Sequence, residues 1–105
     1  MPRPEEVLSQ LDTIETVMQD AGMWQAEALH PDQYDFRLAF ASDTMRFEQW
    51  LQFVFVPAVR RAAEAGRFPS SSDVAVQAVR AFDGMTGADG LLTELARFDA
   101  LFNRA

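Results

Sequence analysis

Residues 47–66 read Phe47-Glu48-Gln49-Trp50-Leu51-Gln52-Phe53-Val54-Phe55-Val56-Pro57-Ala58-Val59-Arg60-Arg61-Ala62-Ala63-Glu64-Ala65-Gly66, and the fold class turns on them. Taken alone, Phe53-Val54-Phe55-Val56 has the β-branched and aromatic make-up of a buried strand. The run from Ala58 to Ala65 continues it with helix-forming residues and no turn signal, and Gly66 supplies a left-handed stop. The stretch therefore predicts a helix over 47–65, kinked at Pro57, whose missing N–H leaves the Phe53 carbonyl without its usual donor. From Trp50 to Val59 that helix is apolar almost all round, with Gln52 the interruption.

On either side the periodicity is that of ordinary amphipathic helices. Val7, Leu11, Ile14 and Met18 step by 4, 3 and 4 residues, as do Leu91, Leu95, Phe98 and Phe102, predicting helices over 4–21 and 89–103. Pro4 with Glu5 and Glu6 suits the first helix's start, Gly22 its stop, and Asp89 or Thr86 the cap of the last. Val74, Ala75, Ala78, Val79 and Phe82 form a shorter stripe behind the Ser70-Ser71-Ser72-Asp73 capping cluster, predicting a helix over 72–83. Short turns around Gly66 and around Gly84, Gly87 and Gly90 make successive helices antiparallel neighbours. The expected fold is all-α, a closed up-and-down four-helix bundle occupying residues 1–105 as one domain.

Residues 23–46 fit no helical period yet carry Trp24, Leu29, Tyr34, Phe36, Leu38, Phe40 and Met45. A helix apolar all round needs cover on more faces than one bundle core provides, so this long aromatic loop is read as a lid over it. Its aromatics either pack on the 47–65 helix or roof a pocket or docking groove, with Trp24, Phe40, Asp43, Trp50 and Phe53 as the candidate residues.

Composition narrows the function classes. With 49% apolar and 11% aromatic residues the chain has material for a core, which excludes disorder. The longest apolar run has seven residues and contains Pro57, too short to span a bilayer. No secretory signal opens the chain and no cysteine occurs, so a cytoplasmic location is expected. Net charge is −7, and residues 1–48 carry the whole excess, ten acids against three arginines. That distribution disfavours direct nucleic-acid binding, which needs a dense cationic field.

Chemistry is sparse. His30 is the one histidine, and His30-x-Asp32-x-x-Asp35 lacks the ligand count of a metal site, so neither metal nor cofactor is expected. Asp43 is read as meeting free amides near the start of the 47–65 helix, and Asp99 as half-buried and paired with Arg60 or Arg61. The first helix shows Glu5, Glu6, Asp12 and Glu15 with no basic residue between Pro4 and Ala21, a face that is either plainly solvated or docks a basic partner.

Asp43-Thr44-Met45, Trp50-Leu51-Gln52 with Pro57 seven residues after the tryptophan, and Leu95-x-x-Phe98-Asp99-Ala100-Leu101-Phe102 together resemble the YqcC-like family of small bacterial proteins. The resemblance runs from the first helix to the C-terminus. It implies a closed up-and-down four-helix bundle of unknown function, with no catalytic residues to carry over. Genes of that family often lie beside one for a tRNA pseudouridine synthase, which implies an accessory role in tRNA modification. The expectation is a non-enzymatic interaction protein, monomer or weak homodimer, with a protein partner such as an RNA-modifying enzyme. The rival is a binder of a small apolar ligand between the 23–46 loop and the 47–65 helix.

Overall fold

The structure, a computed structural model, describes residues 2–103. It is all-helical: α1 is Pro4–Asp20, α2 runs over 47–65, α3 is Val74–Ala81 and α4 is Asp89–Phe102. Two short 3₁₀ turns, Pro31–Tyr34 and Ala39–Ala41, punctuate the loop between α1 and α2, and no strand occurs among the described residues.

The ends of α1 follow from its sequence. Pro4 occupies the first turn with Glu5 and Glu6. Gly22, at φ 72°, closes the other end, its N–H donating to the Gln19 carbonyl while Met23 N–H reaches back to Met18. That pair of bonds satisfies carbonyls the helix itself leaves free.

The break expected at Pro57 takes the form of a π-helical segment. In α2, Phe47–Trp50 is α-helical, Leu51–Phe55 is π, and Val56–Ala65 is α again, with Val56 N–H donating to the Leu51 carbonyl. A π turn inserts one residue and shifts the pairing register just upstream of the proline that lacks a donor. It also rotates the faces: Leu51, Phe55 and Val56 enter the main core, whereas Phe53 and Val54 turn to the 23–46 loop.

The main core is made by the stripes of the two terminal helices. Val7, Leu11, Ile14 and Met18 of α1 and Leu91 and Leu95 of α4 are completely buried, and Phe82, Phe98 and Phe102 nearly so. α1 packs on α4 and on the second half of α2, and α3 packs on α4. Burying a leucine-sized side chain contributes about 1.5–3 kcal/mol, so these two stripes carry much of the fold's driving force. Val79, placed in the α3 stripe by its spacing, is instead 57% exposed, because a helix of eight residues buries only the face toward α4.

Capping departs from expectation. α3 starts at Asp73 with no side-chain cap from the serine cluster, and α4 starts after Ala88 without help from Thr86 or Asp89. Asp99 of α4 caps α3 instead: its carboxylate accepts hydrogen bonds from Ser72 Oγ at 2.6 Å, Val74 N at 3.1 Å and Ala75 N at 2.8 Å. Asp99 therefore meets helix amides, not Arg60 or Arg61.

Candidate functional site: an apolar groove and the loop at its rim

Small residues on one face of α2 leave room beside it. Val54, Ala58 and Ala62 recur every four residues and so lie in one line along the helix. With the connection at Phe68 and Pro69, and with Phe98 and Phe102 of α4, they enclose a groove of about 390 Å³. Its floor is a chain of rings: Phe40 edge-on to Trp50 at 5.0 Å, then Phe55 at 5.6 Å, Phe98 at 5.1 Å, Phe102 at 4.9 Å and Phe68 at 5.5 Å. Such tilted and edge-to-face pairs stabilise beyond their buried area and hold the ring positions.

Of the polar groups at the rim, Ser72 and the first amides of α3 are already engaged, while the exposed Ser71 and Asp73 side chains make no hydrogen bond among the described residues. Ser72 Oγ and the first amides of α3 serve Asp99, while Asn103 accepts from Ser72 N at 3.0 Å and donates to Ser72 O at 2.8 Å. The groove thus offers shape and apolar contact with little free hydrogen-bonding capacity.

Phe40, at the opposite rim, stands in an unusual backbone state. It and Ala41 have φ of 57° and 54°, left-handed values that cost an L-residue roughly 1–2 kcal/mol each. Two features hold them there. Ala41 is completely buried with Leu29 and Met45, and the Asp43 carboxylate accepts from Arg37 N at 3.0 Å and Leu38 N at 3.4 Å.

The Arg37 amide is the main cause that lowers the Asp43 pKa below its ordinary value. A depressed pKa means the bonded loop is favoured above the ordinary aspartate range, and that advantage is lost as pH falls through the lowered value. In an NMR titration the Arg37 amide proton is expected to shift with a midpoint below ~3.9, the ordinary aspartate value, and Asp43→Asn should abolish the step. A midpoint at or above that ordinary value would contradict this account.

The loop is moored by glutamines that an apolar pattern makes look like interruptions. Gln52 grips the backbone of Gln25 at both polar atoms, accepting from its N–H at 3.0 Å and donating to its carbonyl at 2.7 Å. Gln49 donates to the Gln25 side chain at 3.0 Å and accepts from Arg46 N at 2.9 Å. Both glutamines are buried. The signal was present in the sequence as polar residues on an otherwise apolar helix, since a buried amide needs partners.

The candidate pocket residues separate. Phe40 and Trp50 line the groove. Phe53 packs on the small cluster of Leu29, Ala41 and Met45, and Trp24 packs on the main core beside a different depression shared with Gln25, Arg46 and Glu48. Asp43 holds loop amides and not those of α2. The five do not share this groove: Leu29, Ala41 and Met45 occupy the space beneath the loop, and the groove opens toward the 66–73 connection and α4. Tyr34, Phe36 and Leu38 stay exposed, so the lid covers α2 with fewer of its side chains than their number suggests.

The acidic face of α1 is compensated from outside the helix. Arg60 Nη2 lies 2.9 Å from Glu15 Oε1 and 3.3 Å from Asp12 Oδ1, and Arg3 pairs with Glu6 at 3.1 Å. The Glu15 hydrogen bond is the leading cause that raises the Arg60 pKa. Glu5 remains exposed, but the four-acid face is not an uncompensated patch. His30 Nδ1 accepts from Asp32 N at 3.2 Å, and among the described residues no three His, Asp or Glu side chains are grouped to hold a metal. Among the described residues no helix is long and apolar enough to cross a membrane.

Comparison with known proteins adds a family. An uncharacterised protein of Haemophilus influenzae is 28% identical over 94 residues, 89% of each chain. A protein of Pectobacterium carotovorum subsp. carotovorum named tRNA pseudouridine synthase C is 33% identical over 57 residues, 54% of this chain and 15% of that one. No solved structure matches. A family model matches residues 6–101, nearly the whole chain, and the chain belongs to that family, described as tRNA pseudouridine synthase C.

Proposed function

We propose that this chain is a non-enzymatic accessory module that binds a tRNA pseudouridine synthase in the cytoplasm. One observation carries the reading: a stretch similar to this chain makes up 15% of a polypeptide named for that enzyme. A module fused to its partner meets it at millimolar effective concentration, whereas a separate module must supply the same encounter through its own interface. The YqcC-like resemblance and the closed up-and-down order of the helices belong to the same reading. Its acid–base groups support a structural role, since Asp99 caps α3, Asp43 braces a loop and His30 caps a turn.

The test is direct. The purified chain, as a monomer or weak homodimer, is expected to bind the purified tRNA pseudouridine synthase C of the same organism with a Kd of about 10 μM or tighter, measured by calorimetry. No association at about 100 μM would end the reading. Reversing Glu5, Glu6, Asp12 and Glu15 to lysine measures what the acidic face adds.

A second reading rests on the groove itself, whose volume and apolar lining suit a small apolar ligand.

A further inference from the structure

We infer that the groove beside α2 receives the apolar side chains of an amphipathic helix of the synthase, one whose flank is acidic. This rests on the reading that the synthase is the partner, and it specifies the surface and the chemistry that meet.

Three observations carry it. The first is the trough's form. Ala58 and Ala62 are small, one turn apart and flanked by rings, so side chains can enter between Val54 and the wall at Phe68, Phe98 and Phe102. A helix laid into such a trough presents anchors at matching one-turn spacing.

The second is that the groove is poor in free polar atoms. Ser72 Oγ and the opening amides of α3 are consumed by Asp99. A small polar molecule would find only the exposed Ser71 and Asp73 side chains at the mouth to orient it, whereas apolar side chains lose no hydrogen bonds on entering.

The third is charge. In a chain of net charge −7, Arg61 and Arg67 are exposed, and neither guanidinium has an ion pair or hydrogen bond among the described residues. Arg61 lies about 60° round the helix from Ala58, and Arg67 directly precedes Phe68 of the opposite wall. Two unpaired guanidiniums beside the trough, against the single acid Asp73 in its lining, favour an acidic flank on the occupant. Arg60, which faces the other way, is already taken by Asp12 and Glu15.

The experiment measures the Kd of the full-length chain for the purified synthase of the same organism in four forms: wild type, Ala58→Trp, Ala58→Ser, and Arg61→Glu with Arg67→Glu. Ala58 is exposed, so the indole fills the trough without entering the core. Ala58→Trp is expected to weaken binding by about tenfold or more, and Ala58→Ser to leave it within about twofold. The double arginine variant should bind more weakly, with a shallower dependence on salt. Far-UV circular dichroism and melting temperature establish that each variant is folded.

If wild type binds and Ala58→Trp binds equally well, the groove is not the interface and this inference is overturned while the partnership stands. If wild type does not bind, both fall. Decanoate serves as a probe for an acyl ligand. Should it raise the Tm of wild type but not of Ala58→Trp, while that variant still binds the synthase, the groove is a ligand site and the inference is likewise overturned.

Discussion

Replacing Asp99 by alanine is expected to lower stability by about 2–4 kcal/mol, the largest effect of any single polar substitution in this chain. The side chain is 7% exposed and its two oxygens take three hydrogen bonds, from Ser72 Oγ, Val74 N and Ala75 N. Losing an N-cap alone costs about 1 kcal/mol. Here α3 has no cap of its own, and Val74, which carries one of the amides, is buried, so each orphaned donor adds a desolvation penalty of about 1–3 kcal/mol. For a domain near this size the Tm should fall by roughly 10–20 °C.

Asp99→Asn keeps an acceptor oxygen and should lose about half as much. Hydrogen exchange locates the damage: Val74 and Ala75 should lose protection first, because α3 is eight residues long and depends on α4 for its start. Ser72 and Val74 line the groove, so the same change should loosen that wall. A loss below about 1 kcal/mol with both amides still protected would show that Asp99 is not the cap that matters.

Asp99 also marks where sequence reading stops. The stripes of α1 and α4 were legible because a 4, 3, 4 spacing of leucines, phenylalanines and their kin has one economical burial, and those residues form the core. Gly22 and Gly66 were legible because a left-handed helix end selects glycine, and both have positive φ. An acid beside such a stripe signals only that it needs a partner. An arginine and a helix N-terminus both satisfy a carboxylate, and nothing local to Asp99 says which will be brought to it. The answer depends on α3 packing against α4 and its first amides reaching Asp99, a long-range outcome.

The same limit applied to the site. The lid was visible as aromatics without a period, and Phe40 and Trp50 do line the groove. What hid the groove's true walls is the π segment at Leu51–Phe55, which turns Phe53 and Val54 one way and Leu51, Phe55 and Val56 another. Pro57 announces a disturbance, but a kink and a register shift are both compatible with it.

Gln52→Leu is expected to cost about 2–3 kcal/mol even though leucine suits the apolar surroundings better than an amide does. The substitution conserves volume approximately, so cavity formation is a minor part of the effect. What is lost is the clamp on Gln25, whose N–H and carbonyl both bond to the Gln52 amide. Removing one side of a buried polar pair leaves the other side desolvated and unpaired, and here both stranded atoms belong to the backbone of a 24-residue loop, 23–46, with little secondary structure to fall back on. The loop's entry should therefore detach while the main core persists, because the core stripes of α1 and α4 pack on each other and Met23 and Trp24 are only partly buried against them. Trp24, next to Gln25 and packed on the main core, reports this: its fluorescence should shift to the red in a Trp50→Phe background, where it is the remaining indole. Gln49→Leu, which frees a side-chain amide and Arg46 N but leaves the Gln25 backbone held, should cost less. Equal stability of Gln52→Leu and wild type, with the Gln25 amide still protected, would mean the loop is held by Leu29, Ala41 and Met45 alone, and that the apolar lid and not the glutamine clamp fixes where Phe40 meets the groove.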